Sequence, residues 1–61
     1  MTEWKELVGK RVLIRNYSTW KIIEAKLVEV SPSGKFVKLK YPDDTTEWKS
    51  TDSIYLEEVL D

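Results

Sequence analysis

Residues 41–49, Tyr-Pro-Asp-Asp-Thr-Thr-Glu-Trp-Lys, set two aromatics around three carboxylates and a proline. Ring faces attract a desolvated cation by up to about 2 kcal/mol, and a carboxylate beside them adds charge. The stretch therefore reads either as the rim of a cation pocket or as a turn between two strands. Asp43, Asp44 and Glu47 are also a hard-metal oxygen set, but their spacing fits no calcium loop. Aspartates that bond the local backbone of a turn are far commoner, so no metal is expected. The same carboxylates need an enclosed pocket to act as an acid–base pair, and a short chain leaves little concavity.

Tyr17 and Trp20 form a second aromatic pair, set in a polar stretch. On a loop they offer faces for stacking on a cation, a base or a peptide. The competing reading packs Trp20 over the end of a small core, since Trp is seldom left fully exposed. Tyr41 shares the parity of Val37 and Leu39, so its ring should enter the core with its hydroxyl at the rim. Trp48 reads as core or cross-strand packing.

Arg11, Arg15, Lys26, Lys38 and Lys40 alternate with apolar positions, which puts them on the outward face of their strands. With aromatics nearby they suggest a nucleic-acid stacking platform. Set against this is a solvated face neutralised by Glu24 and Glu29 across the strands. If Lys26 faces Lys40 directly, the two charges repel and an anionic ligand gains weight.

The whole chain limits the choices. Its 61 residues allow one domain, 1–61. A chain this size folds to an accessible surface of about 4,100 Å² and buries only about 60% of its unfolded surface. Stability is then marginal, and three Trp, three Tyr and one Phe supply much of the core. There is no Cys and no His, hence no disulfide, no thiolate metal site and none of the commonest general base. Net charge is −1 with 34% charged residues, so no whole-surface field for nucleic acid is indicated. No apolar run has the length of a signal or membrane segment. The expectation is a soluble, cytoplasmic protein without cofactor. Met1 opens it with no tag, as in a complete small protein.

The elements that must position these residues are short. Thr2 suits a helix N-cap and Gly9 a C′ stop, with Trp4, Leu7 and Val8 on one face toward the core, which predicts a turn or two of helix. Residues 10–16 alternate, with Val12 and Ile14 facing one way. Residues 21–30 place Ile23, Ala25 and Leu27 on one face, then switch parity at Val28 and Val30, as at a bulge or sharp bend. Residues 31–35, Ser-Pro-Ser-Gly-Lys, predict a hairpin whose three-residue loop is closed by a left-handed Gly34. Residues 36–41 return, 42–46 turn again, and 47–50 form a short strand. A single helical or 3₁₀ turn at 51–53 leads to a last strand at 54–60, with Leu56 and Val59 returning to the core. Five strands joined by tight turns give an antiparallel meander, and closure into a barrel would remove its exposed edges.

Several of these segments resemble a known family. "VGKRVLI" is similar to the first strand of small SH3-like barrels of the Tudor, chromo-barrel and KOW kind. "WKIIEAKLVEVS" resembles the Tudor second strand, and "FVKLKYPDDTTEW" its third strand, acidic turn and fourth strand. "TDSIYL" resembles the closing 3₁₀ turn and fifth strand. The resemblance spans about Val8 to Leu60. It implies an all-β, five-stranded antiparallel, strongly bent SH3-like (Tudor-like) barrel with a short N-terminal helical turn. It also implies an aromatic cage for methylated Lys or Arg, at the matching positions Tyr17, Trp20, Tyr41 and Asp44. The loop after Tyr41 departs from the pattern, with Pro-Asp-Asp where a further aromatic often stands.

The functional expectation is a non-enzymatic module that recognises a protein or peptide through this aromatic rim. Two alternatives remain: nucleic-acid binding on the basic strand face, and a structural role in which the barrel packs against a partner or itself.

Overall fold

The computed structural model describes residues 3–61, so the proposed Thr2 cap lies outside the described residues. A first 3₁₀ turn, Trp4–Leu7, precedes strand β1 (Arg11–Asn16). Strands β2 (Ile22–Val30), β3 (Phe36–Lys40) and β4 (Thr46–Ser50) follow. A second 3₁₀ turn, Thr51–Ser53, leads into β5 (Ile54–Val59). The strands form one antiparallel sheet in the order β4-β3-β2-β1-β5.

Alternation decides which face is buried. Val12, Ile14, Ala25, Leu27, Val37, Leu39 and Ile54 form the buried core, with Trp4, Leu7, Ile23, Val30, Tyr41, Leu56 and Val59 packed against it. A single sheet buries seven residues this way only by curling around them. The long β2 provides the curl: residues 22–26 pair with β1, and residues 26–30 pair with β3. The parity switch is a register shift between Leu27 and Glu29, which turns Val28 outward and brings Val30 back in. The accessible surface, 4206 Å², matches the expectation for a chain this size.

The barrel does not close. β4 and β5 are the two ends of the sheet, so the expected removal of edges does not occur. The first turn also differs in detail. Gly9 stops it with φ +89°, as expected, but Val8 is exposed rather than core-facing. Seven residues favour a 3₁₀ turn over an α-helix, because too few i→i−4 bonds form to offset nucleation.

The first tight hairpin departs from the expected three-residue loop. Ser31 N–H donates to Phe36 O, so the loop at 32–35 holds four residues rather than three. The three-residue loop lies at 42–44 instead, where Tyr41 N–H donates to Thr45 O and Asp44 N–H to Tyr41 O. Pro42 takes the first central position, and Asp44 takes the left-handed closing position at φ +71°. Among the described residues no helix is long and apolar enough to cross a membrane.

Candidate functional site

The loop after β1 is built by its own polar side chains. Asn16 Oδ1 accepts from Ser18 N–H at 2.8 Å, and Asn16 O accepts from Trp20 N–H at 2.7 Å. Thr19 Oγ1 accepts from Lys21 N–H. This tight return forces Trp20 into the left-handed region at φ +59°. For a bulky L-residue that conformation costs about 1–2 kcal/mol. Trp20 holds it while 63% exposed, so core burial does not compensate. The packing of Trp20 over the core end is thereby ruled out.

The same loop is tied to the second 3₁₀ turn. Tyr17 N–H donates to Ser53 O at 3.0 Å. That turn is anchored in its own right: Ser50 Oγ caps Asp52 N–H, and Thr51 N–H and Oγ1 both donate to Lys35 O. β5 leaves the turn beside β1, with Asn16 opposite Ile54 and Arg15 opposite Tyr55. Tyr17 and Tyr55 therefore meet, with ring centroids 6.4 Å apart. Trp20 meets Tyr17 edge-on at 5.9 Å.

Tyr17 and Tyr55 line a cleft of about 380 Å³ that runs between the two 3₁₀ turns. Trp4, Ile54 and Leu56 add apolar wall, and among the described residues Asp52 is the sole charged one lining it. Arg15 lies outside the cleft, where its guanidinium carbon sits 5.7 Å from the Trp20 ring centre. Its Nε donates to Glu57 at 2.7 Å and its Nη1 to Trp20 O. One face of Trp20 is thus taken by a cation of the protein itself.

Tyr41 and Asp44 stand elsewhere. They line a separate, smaller cavity of about 180 Å³ with Arg11, Glu24, Lys26 and Lys40. β3 pairs only with the second half of β2, so its following loop comes to Ala25 and stops short of Trp20, five residues earlier. The implied four-residue cage is divided: Tyr17 lines one cleft with Trp20 against its edge, and Tyr41 and Asp44 line the other. Tyr41 is also committed. Its hydroxyl donates to Glu47 Oε2 at 2.6 Å, and burial, then that carboxylate, pushes the phenol pKa well above its ordinary value. Asp43 accepts from both Thr45 N–H and Thr45 Oγ1, which hold its carboxylate below the usual range. Among the described residues no cluster of acidic side chains is arranged to hold a metal ion.

The basic positions also separate. Arg11 lies opposite Lys26, and Lys26 opposite Lys40, a row of three cations across three strands. Arg11 is bound by Asp61, which takes bonds from its N–H, Nε and Nη2 at 3.0–3.1 Å and is held below the usual carboxylate range by them. Lys40 pairs with exposed Asp44 at 3.5 Å. Lys38 faces Glu29 on one side and Trp48 on the other, apart from the row, and Arg15 belongs to the Trp20 stack. The partners of Arg11, Arg15 and Lys40 are Asp61, Glu57 and Asp44 rather than Glu24 and Glu29. Trp48 is 47% exposed on the outer face, so its core reading is replaced by the cross-strand one beside Lys38.

Trp4, Asp52 and Tyr55 are the site residues that sequence reasoning missed. Tyr55 lies between the core-directed Ile54 and Leu56, and that alternation marks it as outward-facing. Its place beside Tyr17 depends on the pairing of the first strand with the last, which no local pattern announces. No family model matches the chain, and neither a curated protein nor a solved structure matches it significantly.

Proposed function

We propose that the protein is a non-enzymatic binding module that takes a basic side chain of a peptide or protein into the cleft between Tyr17, Tyr55 and Trp4. The observation that carries this reading is the cleft's lining: three aromatics and one carboxylate, with no cation among the described residues that line it. Ring faces attract ammonium or guanidinium groups by about 0.5–2 kcal/mol each, more as water is excluded. Asp52 supplies the counter-charge. Trp20 braces Tyr17 by its edge-on contact. The resemblance to Tudor-like barrels implies the same ligand chemistry, but here the residues are Trp4, Asp52 and Tyr55 in place of Tyr41 and Asp44.

Calorimetric titration with peptides carrying Lys, methylated Lys or Arg tests this reading. Wild type should bind with a dissociation constant in the micromolar to millimolar range, as a small exposed site allows. Asp52→Asn should weaken binding several-fold, and Tyr55→Ala should abolish it. Equal affinity for a Lys peptide and its norleucine counterpart would rule the reading out.

A second reading rests on the row Arg11–Lys26–Lys40. Direct opposition of Lys26 and Lys40 favours an anion between them. Oligonucleotide binding there should fall steeply with salt. A salt-independent or absent signal removes it.

A further inference from the structure

Among the described residues β4 has one partner, β3, and a bare edge on its other side. Two bonds fix which backbone groups point to that edge. Tyr41 N–H bonds to Thr45 O at one end of the β3–β4 ladder, and Thr51 N–H bonds to Lys35 O at the other. Antiparallel pairs alternate, so Glu47 and Lys49 turn their amides toward β3. Thr46, Trp48 and Ser50 turn theirs outward, and Trp48 has both its N–H and its C=O facing the bare edge. Ser50 O alone of these is occupied, by Ser53 Oγ at 2.8 Å.

The side chains of this edge form a self-complementary set. Sheet edges commonly carry inward-pointing charges that discourage pairing. Glu47 and Lys49 occupy such positions, opposite Leu39 and Val37. Their charges are opposite and symmetric about Trp48, and within one chain they pair at 3.7 Å, a contact that a second copy would exchange for two across the seam. A second copy laid antiparallel with Trp48 facing Trp48 sets each Glu47 against Lys49 of the other copy. That register makes Trp48 a hydrogen-bonded pair, with Cα atoms about 5.5 Å apart, and each Glu47–Lys49 a non-bonded pair at about 4.5 Å, the closer of the two. The same strand that would repel an unrelated charged edge thus matches its own. The other edge differs: β5 carries adjacent Glu57 and Glu58 and a register shift against β1, both of which oppose pairing.

We propose that β4 is a self-association edge through which two copies join by a two-fold antiparallel pairing centred on Trp48. The joined sheets have ten strands, with the two Trp48 rings on the outer face and a Glu47–Lys49 quartet on the inner face. The pairing leaves the cleft of Tyr17 and Tyr55 open and stands independently of its function.

Sedimentation equilibrium from micromolar to millimolar concentration tests the proposal with charge variants. Wild type should shift from one-chain to two-chain mass as concentration rises. Glu47→Lys sets lysines against lysines, Lys49→Glu sets glutamates against glutamates, and each variant alone should stay at one-chain mass. Mixed in equal amounts, the two should recover the two-chain mass, because Lys at 47 then meets Glu at 49. Glu47 also accepts the Tyr41 hydroxyl, so the fold of each variant is checked by its NMR spectrum. Should Glu47→Lys not fold, two further measurements decide. Isotope-filtered NOEs in mixed labelled and unlabelled wild type should connect Glu47 of one copy with Lys49 of the other. Trp48→Pro, which removes an amide not used by β3, should give a folded one-chain species. A wild type of one-chain mass at millimolar concentration, or single variants that pair as well as wild type, overturns the proposal.

Discussion

Trp20 carries a conformational cost that core burial does not repay. Its left-handed backbone and its exposure make it the position where fold and function separate most cleanly. Trp20→Gly should leave stability within about 1 kcal/mol of wild type, since relief of the left-handed strain offsets the lost Arg15 and Tyr17 ring contacts. The same change should weaken peptide binding, because Tyr17 loses its edge-on partner. Urea unfolding and a peptide titration on one sample would check both halves. Asp43 and Asp61 make a second residue-scale case. Both have folded pKa values below the ordinary 3.8, Asp43 through Thr45 and Asp61 through Arg11. A depressed carboxylate stabilises the fold above its unfolded pKa, and that contribution is lost as pH falls through the lower folded value. Carboxyl ¹³C titration should therefore place both midpoints below the ordinary 3.8, and Asp43→Asn should remove the acid-side dependence that Asp43 contributes.

The elements are short, and turn chemistry decides them. Asp44 closes the three-residue loop in the left-handed position, which aspartate tolerates and glycine prefers. Asp44→Gly should raise stability by about 0.5–1 kcal/mol, less the loss of its exposed ion pair with Lys40. Gly34→Ala should lower it by about 1 kcal/mol, because alanine at φ +75° is strained even with open space around it. Thermal melts of the two variants should move in opposite directions. β1, β2 and β3 were legible in the sequence because Val12/Ile14, Ala25/Leu27 and Val37/Leu39 alternate strictly, and β4 and β5 because turn residues bound them. The loop lengths were not. Proline and glycine in residues 31–35 signal a turn without fixing how many residues it holds. A left-handed aspartate at 44 carries no glycine to announce it.

At the scale of the molecule, one curled sheet holds one core, and no second layer shares the load. Leu27→Ala or Ile14→Ala removes a fully buried side chain, at a cost of about 2–5 kcal/mol. A 61-residue domain has little stability beyond that, so either variant should be largely unfolded at 25 °C by circular dichroism. The candidate site was only half legible for the same architectural reason. Tyr17 and Trp20 lie three residues apart on one loop and could be read together. Tyr55 and Asp52 reach them because β5 pairs with β1, and Tyr41 fails to because β3 pairs with the far half of β2. Both facts are long-range pairings that alternation does not encode. Chemical-shift mapping of the protein with a Lys or methylated-Lys peptide decides whether the Tyr17–Tyr55 cleft takes a basic side chain. Titrated resonances should be those of Tyr17, Tyr55, Asp52 and the Trp4 indole, with Tyr41 and Asp44 unmoved. No shift at millimolar peptide, or shifts confined to Tyr41 and Asp44, would contradict it.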